Sequence, residues 1–232
     1  MAEGDLVVLR ALEVGHVPEL ILCDEASLVL LEAHAGRLAE TTIVTANEAT
    51  RRSATGLAVA LSMVGLFPKP PTLEVDDLIS RNNRIVALAQ VDNPTNVGAI
   101  VRSAAAFGFT GLILDHESSD PYARRALRVA MGTTFGLDVA RTAHPSSLFA
   151  ALQANGFQTY AMTPSPDAVA LDEVQPGPRV VLILGSERSG LPDDWMTAAT
   201  HRVRIPMADG VDSLNVAAAA AVACYGLTMR NG

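Results

Sequence analysis

The run Ile85-Val86-Ala87-Leu88-Ala89, followed by Asp92-Asn93-Pro94-Thr95-Asn96-Val97-Gly98, decides the fold class of this chain. Five consecutive apolar residues predict a strand buried on both faces, which belongs in a parallel sheet. Asn, Thr and Pro suit the first turn of a helix, and a helix over 97–107 follows, closed by Gly108. The alternation continues outward toward the C-terminus. Strands are predicted over 111–114, 159–162, 180–184 and 201–205, and helices over 122–129, 148–155 and 213–229. Residues 84–232 therefore read as an α/β unit, a mostly parallel sheet with helices on both faces.

Toward the N-terminus, Phe67-Pro68-Lys69-Pro70-Pro71 interrupts the pattern. Three prolines in four positions remove backbone donors and favour extended chain, so 68–83 reads as a Pro-rich linker. Residues 1–67 read as a small α/β domain. Its first helix starts near Leu6 and turns Leu9, Leu12 and Val17 inward. Strands over 20–23 and 42–44, a helix over 28–38 and a buried strand over 56–61 complete it.

Of the 232 residues, 49% are apolar and 18% charged, which supplies a core and excludes an intrinsically disordered chain. The net charge of −8 is not that of a general polyanion binder, but it is unevenly spread. Residues 1–80 carry five basic against twelve acidic groups, and residues 81–232 carry −1. An electrostatic footprint for a polyanion is expected in the second part. Lys69 is the single lysine; the other cationic residues are arginines, which suit bidentate phosphate contacts. Cys23 and Cys224 form neither a disulfide framework nor a metal-type spacing, and the five histidines are scattered, so no metal is expected. The N-terminus lacks a signal peptide, and the apolar stretch 216–224 is too short for a bilayer. A soluble cytoplasmic protein is the expectation.

Three turns follow predicted strands, and ligands of open parallel sheets sit beyond the carboxyl ends of the strands. The first runs from Asn93 to Arg102. The second is Gly185-Ser186-Glu187-Arg188-Ser189-Gly190, after Leu184. The third is Ile205-Pro206-Met207, continued by Asp212-Ser213-Leu214-Asn215-Val216. Each alone also fits a purely structural part: a capped helix start, a polar turn, and a cap by Asp212 or Ser213 for the last helix. Ser186 is not a nucleophile elbow, because no glycine stands two residues before it. Gly98 to Gly108 lacks the dinucleotide spacing, which weighs against an oxidoreductase using NAD.

Together, and in this order, the three segments resemble motifs one, two and three of the SpoU (TrmH-like) branch of the SPOUT methyltransferases. Those enzymes methylate RNA at ribose 2′-hydroxyl groups. The resemblance covers 84–232 strongly, including 124–135. More weakly, 1–67 is similar to the ribosomal-protein-like substrate domain that often precedes the catalytic one. Such relatives carry further residues before Glu3-Gly4, so the small domain reads as N-terminally truncated or reduced in RNA docking. The resemblance implies a C-terminal trefoil knot with S-adenosylmethionine (SAM) among the knotted loops, a homodimer, and ribosomal or transfer RNA as partner.

By the same match, Leu184, Gly185, Ile205, Met207 and Leu214 line the cofactor, with Gly185 allowing its close approach. Asn96, Arg102, Glu187, Ser213 and Asn215 form the reaction centre, with Glu187 fixing Arg102 or Asn96. Arg102 is proposed in the family as general base. A guanidinium keeps its proton, so a phosphate-holding and alkoxide-stabilising part suits it better. Arg124, Arg125 and Arg128 share one helix, either as a solvated face or as RNA phosphate contacts. A knotted RNA-binding module without catalysis is the alternative, against which the intact polar positions count.

Overall fold

The computed structural model describes residues 1–228 and holds two sheets. The N-terminal part begins with β1 (Ala2–Glu3) and α1 (Asp5–Glu13). Val7, Val8, Ala11 and Leu12 of α1 are buried, a spacing that puts them on one face of the helix. Leu9 is partly buried, whereas Val17 lies beyond the helix and is exposed, against expectation. β2 (Leu20–Cys23) leads into a helix over Glu25–Arg37 that is wound as a 3₁₀ helix and buries just Ser27 and Leu31. β3 (Thr42–Thr45), α2 (Glu48–Thr55) and β4 (Met63–Leu66) complete the unit, with strand order β1-β4-β2-β3.

The strand expected over 56–61 is not there. Gly56 takes a left-handed conformation (φ 68°) and ends α2, and Val59 beyond it is 71% exposed. The strand forms later, at β4, where Met63 and Val64 are buried against the neighbouring strands. Helix α2 escapes hydropathy because its buried residues are Arg51 and Thr55. Arg51 donates to the carbonyls of Leu61 and Ala46, so a charged side chain is buried with its donors occupied.

Within 68–83, the chain is already structured by Leu73, whose N–H donates to the Val139 carbonyl (2.8 Å). Helix α3 (Val75–Arg81) then buries Leu78 and Ile79 against the larger sheet. Beyond it come β5 (Arg84–Leu88), α4 (Pro94–Ala106), β6 (Gly111–Leu114), α5 (Arg124–Val129), β7 (Asp138–Arg141) and α6 (Pro145–Ala154). β8 (Gln158–Met162), β9 (Val169–Ala170), β10 (Val180–Leu184), α7 (Asp193–Ala198), β11 (His201–Arg204) and α8 (Val216–Thr228) follow. The last predicted helix extends to Met229, which lies outside the described residues.

The seven strands stand in the order β7-β6-β5-β10-β8-β11-β9, and every pairing is parallel. β5 and β10 are central. Val86, Leu88, Leu182 and Leu184 face α4 and α8, while Ile85, Ala87, Val181 and Ile183 face the α3, α6 and α7 side. Full burial of such a side chain contributes roughly 1.5–3 kcal/mol, so the uninterrupted apolar strands hold the sheet together.

The two parts meet along α5 and the turn after it. The Glu3 carboxylate is wholly buried and accepts from Arg124 Nε (2.8 Å) and Arg128 Nη1 (2.6 Å). Arg10 Nη1 donates to the Met131 carbonyl (2.7 Å), and Leu127 and Phe135 complete the small core.

Candidate functional site

The three motif turns gather at the carboxyl end of the larger sheet. The first begins at Asn93, whose Oδ1 accepts from the Thr95 N–H (2.9 Å) and starts α4. Gly98 is required by packing: a Cβ there would collide with the Ala126 carbonyl oxygen of α5. Asn96, on the first turn, is 8% exposed and turned toward the second motif.

That second motif is a tight loop on the end of β10. Ser186 and Gly190 exchange two backbone hydrogen bonds (3.0 and 2.9 Å), with Gly190 at φ 73°. The loop thereby pushes Glu187, Arg188 and Ser189 outward. A Cβ on Gly185 would collide with the Gly190 and Leu191 backbone, so glycine is needed for the loop to close on itself. Gly185 also lines the cleft described below.

In the third segment the chain leaves β11 and reaches α8 at Asn215. Its Oδ1 accepts from the Ala217 N–H (2.9 Å), so Asn215, and not Asp212 or Ser213, caps α8.

Glu187 joins the three. Its Oε2 accepts from Asn96 Nδ2 (3.0 Å) and its Oε1 from Asn215 Nδ2 (2.9 Å), while Asn215 also reaches Asn96 Oδ1 (3.4 Å). The Asn215 hydrogen bond, and then that of Asn96, hold the Glu187 carboxyl below its ordinary pKa. The carboxylate is therefore ionised and orients two amides. Arg102 is not part of this network. It sits six residues beyond Asn96 on α4, about 9 Å along the axis and on another side of the helix. It is exposed and has no hydrogen bond or ion pair among the described residues.

Beside the network lies a cleft of about 410 Å³. Leu184, Gly185, Ile205, Met207 and Leu214 all line it, and so do Glu187 and Ser213. The sequence reading did not include Met162, Thr163, Pro164 and Met196 in its wall. The first three stand at the carboxyl end of β8, where the rule for ligands of parallel sheets would have placed them. The volume is that of a small-molecule site. A lining of aliphatic side chains together with the 185–190 loop, Glu187 and Ser213 fits a nucleoside bearing a charged tail.

The α5 arginines are only partly free. Arg124 and Arg128 hold Glu3, although their side chains keep 46% and 40% exposure, and Arg125 Nε donates to Thr95 Oγ1 (2.6 Å). None of the histidines lines the cleft; His201 stacks on Tyr160 and His16 hydrogen-bonds the Phe135 carbonyl. No cluster of three or more metal-ligating side chains exists among the described residues. Nor is any described helix long and apolar enough to cross a membrane.

Comparison with known proteins gives this geometry its context. The model of the SpoU rRNA methylase family matches residues 83–225. An uncharacterized tRNA/rRNA methyltransferase of Mycobacterium bovis is 31% identical over the whole chain, which covers 81% of that protein. The chain spans 59–81% of the length of its curated mycobacterial relatives. A 23S rRNA (adenosine(1067)-2′-O)-methyltransferase of Streptomyces azureus is 31% identical, over 72% of this chain and 62% of that one. The crystal structure of an AdoMet-bound rRNA methyltransferase of Sinorhizobium meliloti superposes with a TM-score of 0.85 at 28% identity, over 97% of this chain and 85% of that one. With the family motifs gathered at one end of the sheet beside one cleft, the chain belongs to the SpoU rRNA methylase family.

Proposed function

We propose that the protein transfers the methyl group of SAM to a ribose 2′-hydroxyl of structured RNA, ribosomal RNA ahead of transfer RNA. The observation that carries this reading is the Asn96–Glu187–Asn215 network on the rim of the cofactor cleft. The named target of the Streptomyces azureus relative supports ribose and ribosomal RNA. Leu184, Ile205, Met207 and Leu214 hold the adenosine part, and backbone groups of 185–190 supply its polar contacts. The bound cofactor contributes an electrophilic methyl sulfonium, so the chain's own task is orientation and the handling of one proton.

Asn96, Asn215 and Ser213 would hold the ribose hydroxyl beside the bound cofactor, which would supply the methyl group and leave as a neutral thioether, while the hydroxyl proton would go to water or to the adjacent RNA phosphate. Glu187 is a poor acceptor for that proton, because two amides stabilise its ionised form. It acts as the fixed point that aims Asn96 and Asn215, and Ser213 positions the hydroxyl. Arg102 holds the phosphate and stabilises the developing alkoxide.

Arg102 is exposed and makes no hydrogen bond to the Glu187 network of its own chain, and this supports a two-fold dimer in which it serves the partner's cleft. α8 packs on α4 and leaves Ala218, Val222 and Tyr225 exposed, an apolar face available to such a partner. RNA phosphates are assigned to the free donors of Arg124, Arg125 and Arg128. A C-terminal trefoil knot and a cytoplasmic location belong to the same reading.

Purified full-length protein incubated with labelled SAM and total RNA of its own organism tests the proposal. Label recovered in a 2′-O-methylnucleoside after nuclease digestion is the expected result. Bound cofactor with no ribose label would sink it.

A further inference from the structure

The small sheet ends in an edge that no described element covers. β3 pairs with β2 alone, and all four of its residues, Thr42-Ile43-Val44-Thr45, are exposed. In its parallel ladder the N–H groups of Thr42 and Ala46 donate to the Glu19 and Cys23 carbonyls of the β2 side. Alternate residues therefore face β2, and Ile43 and Thr45 turn their N–H and C=O groups outward. The usual protections of an edge, a lysine, a proline or a bulge, are missing from this strand of four β-branched residues. The 3₁₀ crossover that leads into it also leaves Leu28, Val29 and Leu30 38%, 60% and 39% exposed.

The charges around this edge select among occupants. Glu19, Glu25, Glu32 and Glu40 flank β2, the crossover and β3; all four are exposed and have no cationic partner among the described residues. The four arginines of 1–67 are meanwhile engaged: Arg10 with the Met131 carbonyl, Arg37 with that of Leu12, Arg51 with Asp24 and two carbonyls, Arg52 with Glu48. RNA phosphates would be repelled here. A second copy adding its own β3 would bring the same carboxylates face to face.

We propose that the free edge of β3 docks a basic, extended segment of a partner protein, which joins the small sheet as a fifth strand. Main-chain hydrogen bonds to Ile43 and Thr45 supply the pairing, Ile43 and Val44 give apolar contact, and the four glutamates select lysine or arginine. This site is independent of the methyl-transfer chemistry.

Fluorescence anisotropy of the full chain with a labelled peptide of alternating lysine and valine tests it, against a glutamate–valine peptide and a single-stranded RNA oligonucleotide. Saturable binding of the lysine–valine peptide alone is expected. Thr45→Pro removes one outward donor and leaves the β2 ladder and the charge unchanged. It should weaken the peptide by about tenfold, the scale of one main-chain hydrogen bond with its packing, while cofactor affinity stays the same. Glu32→Gln with Glu40→Gln should weaken binding and flatten its salt dependence. Binding of both peptides alike, or no effect of either variant, overturns the proposal. So does displacement by the RNA oligonucleotide, or self-association that Thr45→Pro abolishes.

Discussion

At the scale of single residues, Arg102 separates the mechanistic reading from a merely structural one. The side chain is exposed and has no partner among the described residues, so Arg102→Ala should change folding stability by no more than about 0.5 kcal/mol. Methyl transfer should nevertheless fall by on the order of 100- to 1000-fold, the usual cost of removing one charge-stabilising donor. Arg102→Lys keeps the charge but lacks the planar fork and should also lose turnover, with cofactor affinity unchanged in both. Calorimetry with SAM beside single-turnover assays reads the two effects separately; full turnover in Arg102→Ala would remove the residue from the mechanism. Glu187 carries a pH prediction. Its folded pKa is depressed, so the network's contribution is present above the ordinary carboxyl range and is lost as pH falls through the lowered value. SAM affinity of the native protein should hold from neutral pH down to the ordinary carboxyl range and then drop. In Glu187→Gln it should be weak already at neutral pH and flat with acidity. Gln90, between β5 and the first motif, sits at φ 58° with its N–H held by Asp115 Oδ2 (2.9 Å). A β-branched side chain is strained there. Gln90→Val should cost about 1–2 kcal/mol and lower Tm by roughly 2–8 °C, and Gln90→Gly should not.

At the scale of elements, α8 has one face committed and one open. Val216, Ala220, Ala223, Cys224 and Leu227 are buried against α4 and the sheet, while Val222 is 41% exposed and Tyr225 53%. Val222→Glu puts a charge on the open face without touching the core. Sedimentation should show a dimer for the native protein and a 24.3 kDa monomer for the variant, with turnover lost alongside. A native monomer that is fully active would overturn both the dimer and the proposed placement of Arg102. The elements also differ in how plainly the sequence announces them. β5, β6 and β10 are continuous apolar runs because both faces are covered, and they are predicted where they stand. β3 is predicted over 42–44 although it is exposed throughout, whereas α2 buries only polar side chains and follows no hydropathy period. α3 is hidden for a different reason, since the prolines before it suggest a linker that the burial of Leu78 and Ile79 denies.

Across the whole molecule, the parts of the site that stand close in sequence are the parts that could be read from it. Leu184 and Gly185, Ile205 and Met207, and Leu214 each lie within one motif, and all reach the cleft. Which side chain Glu187 holds depends on contacts across more than ninety residues to Asn96, and local chemistry equally suggested Arg102. The arginines of α5 show the same limit. Nothing in their own helix announces that Glu3 of the small sheet, 121 and 125 residues earlier, occupies Arg124 and Arg128.

The central pair of the large sheet, β5 with β10, joins strands about a hundred residues apart, and the cleft is closed only by residues beyond them. During synthesis at about 5–20 residues per second, β5 therefore waits for its partner for several seconds with an apolar edge exposed. Folding from denaturant should accordingly be slow, and a chain ended at residue 212, lacking Ser213, Leu214 and α8, should bind no SAM. The cofactor can report only on a finished chain, so ligand binding during folding acts as a final lock rather than as a nucleus.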